Sequence, residues 1–184
     1  MLTYFFRMIR IPILVTENNQ KQKERTIPEL VLCQVPGLSC MGCCTAYKVR
    51  SRVLTEKQLE INTARFKQTK DPHRFSYESG PLVAEGSEIC KTLIKEGNKI
   101  FCPAHPKSPY TNGKDMREFC IKEHWCPSMK TFLKWDKERQ KAVIAFVQEQ
   151  GHDWYSYSIA NDTGKTIKDF LHHEKEEAKK VKKK

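Results

Sequence analysis

The 184-residue sequence predicts an α+β fold: a small, irregular, metal-stapled Cys-rich domain with amphipathic helices and a few short strands. Three observations predict it. Eight cysteines are spread between Cys33 and Cys126, three of them inside LSCMGCC, residues 38–44. The chain from Gly80 to Pro127 is interrupted by Gly or Pro at nine positions and carries four of those cysteines, so it has little periodicity from which to build a core of its own. Apolar stripes at helical spacing lie on either side of it.

Taken in order, the chain divides into an N-terminal segment (1–25), a Cys-rich metal-binding region (26–135), a helix–strand–helix part of the same domain (136–173) and a lysine-rich tail (174–184). Residues 1–15 partly alternate apolar and polar positions, as a strand does, and the polar run ENNQKQKER (17–25) reads as a loop. A short apolar run, Leu30 to Leu32, leads into the thiols. Thr55 and Gln58 form a capping-box pattern, which predicts a helix from Glu56 to about Gln68 with Leu59, Thr63 and Phe66 on one face; Asp71-Pro72 then stops it. Asp136 caps a helix over residues 137–150 with Ala142, Val143, Phe146 and Val147 as its apolar stripe and Gly151 behind it. WYSYSI (154–159) alternates and predicts a strand, Asn161, Asp162 and Gly164 a turn, and Ile167, Phe170 and Leu171 a last helix over 166–173, before a frayed tail.

Cysteine makes up about 4 % of the chain, below the roughly 8–10 % of a disulfide scaffold. In the opening apolar stretch Arg7 and Arg10 fall inside the run rather than ahead of it, unlike a signal peptide. No run reaches the ~18 apolar residues of a membrane span. A cytoplasmic location is therefore expected, where thiols bind metal or do redox chemistry.

Cys40 and Cys43 have the C-x-x-C spacing at which one tight turn lets two sulfurs reach a metal about 2.3 Å away. Gly42 suits such a turn because glycine accepts positive φ. Adjacent side chains diverge, so Cys44 is either spare or belongs to a second, nearby centre. Cys33 upstream and Cys90, Cys102, Cys120 and Cys126 downstream complete eight metal-ligand candidates, enough for two closed tetrahedral sites. His105, in C-x-x-H spacing from Cys102, and His124, beside Cys126, are borderline nitrogen ligands, whereas His172 and His173 read as solvated. Zinc is the expected metal; an iron–sulfur cluster is the alternative, since thiolates serve both. No catalytic-zinc motif, phosphate-cradling Gly-rich loop or G-x-S-x-G elbow is present, and whether the chain is an enzyme stays open.

Cys40-Met-Gly-Cys43-Cys44, followed far downstream by Cys90-Lys-Thr-Leu93, Gly97 and Cys102, resembles the cysteine-cluster family with the C-x-x-C-x-x-C-C signature, the YkgJ-like zinc- or iron-chelating proteins. The resemblance spans about half of the chain, from Cys33 to Cys126. Gly37 stands where the signature has its first Cys, with Cys33 offered four residues earlier, and the family's Arg-Pro-x-x-Cys step is missing. The resemblance implies metal chelation and no particular reaction.

A net charge of +11 attracts polyanions whatever the fold. Over 48–74, Lys48, Arg50, Arg52, Lys57, Arg65, Lys67, Lys70 and Arg74 outnumber the acids and are interleaved with Tyr47, Phe66, Phe75 and Tyr77. Cations beside stacking rings suit single-stranded nucleic acid, although aromatics at this spacing more often fill a core. The expected role is a binding module with RNA, a ribonucleoprotein or another acidic partner. An iron–sulfur electron carrier or enzyme subunit is the alternative.

Overall fold

The computed structural model describes residues 31–44, 51–80, 89–120 and 125–182, the side chain of Cys43 excepted. Over these residues the fold is mixed, with six α-helices and two antiparallel two-stranded hairpins. The strand and loop expected over 1–25 lie outside them.

The first hairpin pairs β1 (Gln34–Val35) with β2 (Leu38–Ser39). Pro36 and Gly37 make its turn, and Gly37 adopts φ 79°, the left-handed position that glycine fills without strain. Pairing continues one residue outward, where the Cys40 N–H donates to the Cys33 carbonyl at 2.9 Å. The two cysteines therefore face each other across the base of the hairpin. One 3-10 turn, Gly42–Cys44, follows.

Helix α1 runs Arg52–Thr69, starting four residues before the expected Glu56. Ser51 is the true cap: its backbone is extended and its hydroxyl accepts from the Leu54 N–H. Thr55 is in the first turn, its hydroxyl bonded to the Ser51 carbonyl at 2.8 Å. The buried face is Thr55, Leu59, Asn62 and Phe66. Lys70, in left-handed conformation, closes the helix. Asp71-Pro72 then starts a helix that the sequence did not suggest, α2 (Pro72–Ser79), with Asp71 accepting from the His73 and Arg74 N–H groups and Pro72 where a missing N–H costs nothing. The second hairpin, β3 (Ile94–Glu96) with β4 (Lys99–Phe101), packs on α1, where the Lys95 N–H donates to the Thr63 hydroxyl at 2.9 Å. Residues 102–120 have only turns and bends, in line with their Gly/Pro punctuation.

The C-terminal part is helical throughout. α3 (Pro127–Phe132) is followed by α4 (Lys137–Glu149), capped by Asp136 as expected and ended by Gln150 ahead of Gly151 at φ 65°. Val143, Phe146 and Val147 are buried; Ala142 is on the exposed side. The strand expected over 154–159 is instead α5 (Trp154–Asp162), started by a complete capping box between Asp153 and Ser156. Its buried residues, Trp154, Tyr157, Ser158, Ala160 and Asn161, follow helical spacing, and the apparent alternation of rings and serines was incidental. α6 (Lys165–Lys182) continues well past the expected end at His173 into the lysine-rich sequence, where Lys179 pairs with Glu176 and Lys180 with Glu177 one turn apart.

Three packed clusters result. The largest joins the first hairpin to α3–α6 around Met129, Phe132, Val143 and Tyr157. A second unites Met41, Leu59, Ile89, Leu93, Ile100 and Trp154. The third is Phe66, Phe75 and Ile94.

Candidate functional site

The described cysteines fall into two groups. Cys44, Cys90, Cys102 and Cys120 line one cavity of about 40 Å³. Cys40 and Cys126 are buried in the same apolar cluster as Tyr157, and charge on either of them or on Cys33 acts on its phenol.

The cavity is assembled from separate pieces of chain. Cys44 ends the 3-10 turn, its N–H bonded to the Met41 carbonyl, and its own carbonyl accepts from the Cys90 N–H at 2.8 Å. Cys90 is further fixed from α1. The buried Asn62 amide donates to the carbonyls of Cys90 (3.1 Å) and Leu93 (2.9 Å), while Gln58 donates to the Asn62 carbonyl oxygen. Cys102 leaves β4 directly. The Thr92 hydroxyl sits between two sulfurs, 3.5 Å from Cys102, whose S–H donates to it, and 3.0 Å from Cys90. Burial pushes the Cys102 thiol up to about 11; the Thr92 and Ala104 hydrogen bonds oppose this and the sulfurs of Cys90 and Cys120 reinforce it.

Cys120 is on the irregular segment after β4. Arg117 reaches over it, Nη1 to Sγ 3.8 Å, and is held from the far side by both carboxylate oxygens of Asp115 at 2.8 and 2.7 Å. Burial disfavours the guanidinium charge, but Asp115 and the sulfurs of Cys120 and Cys102 outweigh it and the group stays charged. His105 lines the same cavity, with Nδ1 accepting from the Lys107 N–H at 3.0 Å. A neutral ring bonded this way carries its proton on Nε2, which suits a hydrogen-bonding wall better than a nitrogen ligand.

The second group belongs to the helical core. The hairpin brings Cys33 and Cys40 opposite each other, and Cys126 caps α3, its sulfur accepting from the Met129 N–H at 3.4 Å. The Gly42 N–H points at the Cys40 sulfur, 3.2 Å away. The Tyr157 hydroxyl donates to the Leu32 carbonyl at 2.8 Å, and burial, then the charges of Cys40, Cys33 and Cys126, raise its pKa. Helix α5 approaches the turn closely: the Met41 N–H donates to the Ser158 hydroxyl at 3.0 Å, and a Cβ on Gly42 would stand 2.9 Å from the Ser158 carbonyl oxygen. Glycine is required there by this approach, not by positive φ as expected from the sequence.

The eight candidates of the sequence are thus divided, with Cys40 and Cys44 in different groups. The Cys43 side chain and His124 lie outside the described residues. Among the described residues no group of three or more His, Cys, Asp or Glu side chains is drawn tightly enough around one point to hold an ion as it stands. The residue types nonetheless suit a thiophilic metal: four cysteines line the cavity, and in the second group the Cys40 and Cys126 sulfurs accept backbone N–H bonds. Asn62 and Thr92 were missed in the sequence; a polar residue on the Leu59/Phe66 face of α1 was the available signal for Asn62.

The basic stripe is only partly a surface. Lys48, Arg50 and Tyr47 lie outside the described residues. Arg52 is bonded to Glu56 and Asp153 and lies 5.7 Å from the rings of Trp154 and Tyr155. Phe66 and Phe75 are core residues, while Tyr77 is 65 % exposed beside Phe119. His172 and His173 are exposed, as expected. Among the described residues no helix is long and apolar enough to cross a membrane.

No family model, curated protein or solved structure matches the chain.

Proposed function

We propose that the chain is a metal-binding protein of the YkgJ-like type, its cysteines holding zinc in a structural role, and that it acts in the cytoplasm as a binding module for RNA, a ribonucleoprotein or another acidic partner. The observation that carries the metal reading is convergence. Cys44, Cys90, Cys102 and Cys120 come from separate stretches of sequence, the last from a segment of turns and bends, and line one small cavity. Thiolate–metal bonds would supply the cross-links which that segment otherwise lacks. Closure at Cys33, Cys40 and Cys126 around a second metal would engage the other described sulfurs. The net charge of +11 and the exposed Tyr77 support an anionic, ring-bearing partner.

Elemental analysis of the purified chain tests this. Stoichiometric zinc in a colourless protein is the expected result, and a chain that takes up no metal overturns it. RNA affinity that falls steeply with salt is the expected partner signature; no measurable affinity at low salt removes RNA.

A second reading rests on the same four cysteines: a four-Cys set around one cavity also suits an iron–sulfur cluster in an electron carrier or enzyme subunit. A brown protein absorbing near about 400 nm would select it over zinc.

A further inference from the structure

Cys120 is the member of the cavity group with the least regular support. It follows a segment of bends, whereas Cys44 ends a 3-10 turn, Cys90 is bonded through Asn62 to α1, and Cys102 leaves a strand. What fixes its neighbourhood is a short set of polar contacts. The Met116 N–H bonds to the Ala104 carbonyl at 2.9 Å, the Glu118 N–H to the Ser76 hydroxyl at 3.1 Å, and the Glu118 carboxylate to His73 at 2.9 Å. Arg117, between them, turns inward. Its side chain is only 15 % exposed, less than those of Arg52, Arg74 and Arg139 in their ion pairs. Asp115 holds it by two oxygens in the planar fork geometry unique to Arg, and the Asp115 carboxylate also accepts from the Arg117 N–H at 3.1 Å, so the loop closes on itself. The remaining arm of the guanidinium is directed at the Cys120 sulfur.

This matters for charge. Four thiolates around a divalent ion leave a net negative centre, and a partly buried net charge is costly unless a counter-charge lies close. Arg117 is the cation lining that cavity among the described residues.

We infer that Arg117 is the positioning residue of the cavity: clamped by Asp115, it holds the Cys120 sulfur in place and offsets the negative charge of the assembled thiolates. This rests on the metal-binding reading above. Arg117 itself touches no metal. It acts through Cys120, as outer partners of metal ligands do, whose loss typically weakens metal affinity about 10- to 100-fold.

The test uses the full chain loaded with cobalt(II), whose sulfur-to-cobalt charge-transfer band reports thiolate ligation, in competition with a chelator. Arg117→Met is expected to weaken cobalt affinity about 10- to 100-fold with an altered band; Arg117→Lys, which restores the charge but not the fork, recovers part of it; and Asp115→Asn falls between Lys and wild type. Circular dichroism confirms that each variant keeps its helices. A second readout needs no metal: in the metal-free chain, amide hydrogen exchange over residues 115–120 should speed up about tenfold in Arg117→Met while that of α4 is unchanged, because the fork to Asp115 no longer closes the loop. A wild-type chain that takes up no cobalt would defeat the metal reading, with the exchange rates then deciding on Arg117 alone. Equal cobalt affinity, or equal exchange over residues 115–120, in wild type and Arg117→Met overturns the inference.

Discussion

Around the cavity, the sulfurs come from four separated stretches of chain, and polar contacts tie each to its neighbours: an Asn62 amide, a Thr92 hydroxyl, an Arg117–Asp115 clamp. Around Tyr157, the sulfurs come from a hairpin and a helix start already packed into the largest apolar cluster, beside Met129 and Phe132. Burial of apolar surface at about 25 cal/mol per Å² holds the second set in place before anything binds. Of the first, Cys90 belongs to a second apolar cluster on which Cys44 and Cys102 pack, and Cys120 alone lies in no cluster. The lesson is that cysteines lining one cavity can differ in how far an apolar scaffold holds them.

Metal removal should sharpen this comparison most. On the metal-binding reading, stripping with a chelator is expected to raise amide hydrogen exchange strongly across residues 102–120 while α4 to α6 stay protected. Uniform loss of protection would mean that the two scaffolds are equally dependent. Next, Asn62→Leu leaves the Cys90 and Leu93 carbonyls without their buried donor and should cost about 2–3 kcal/mol in urea unfolding, with metal lost from the cavity group before the other. Gly42→Ala drives a methyl against the Ser158 backbone and is expected to destabilise by about 2 kcal/mol, this time through the Tyr157 group. The smallest effect is at Asp153. Removing the α5 cap by Asp153→Ala should cost about 1 kcal/mol. Backbone hydrogen bonding from Ser156, against a small burial penalty, and the Arg52 contact hold this carboxyl below its usual range. Its contribution is therefore complete above about pH 4, the unfolded value, and disappears as pH falls through the lower folded value; thermal melts of wild type and variant should converge in acid.

Some of this was legible in the sequence. Asp136 and the Val143/Phe146/Val147 stripe specify α4 with a cap and a period that agree, and the Gly/Pro punctuation announced the irregular stretch before Cys126. Where two local signals conflicted, the weaker won on paper. At 154–159 the alternation of rings and serines suggested a strand, although Asp153 and Ser156 already spelled a capping box and tertiary burial settled the matter. Asp71-Pro72 can end one helix or begin another; it begins α2, and only the left-handed Lys70 before it tells the two apart. The cysteines stood out as candidates because of their number and spacing, but not how they divide, since that depends on the hairpin turn at Gly37 and on contacts as distant as Asn62 to Cys90. Arg117 was invisible, one basic residue among thirty-three.

The 3-10 turn after Cys40 has a further consequence. Within five residues it carries Cys40 toward Tyr157 and Cys44 toward the cavity, while Met41 and Gly42 press on α5. The turn therefore ties the two groups mechanically: a change that lifts Met41 or Gly42 from α5 displaces Cys40 and Cys44 together.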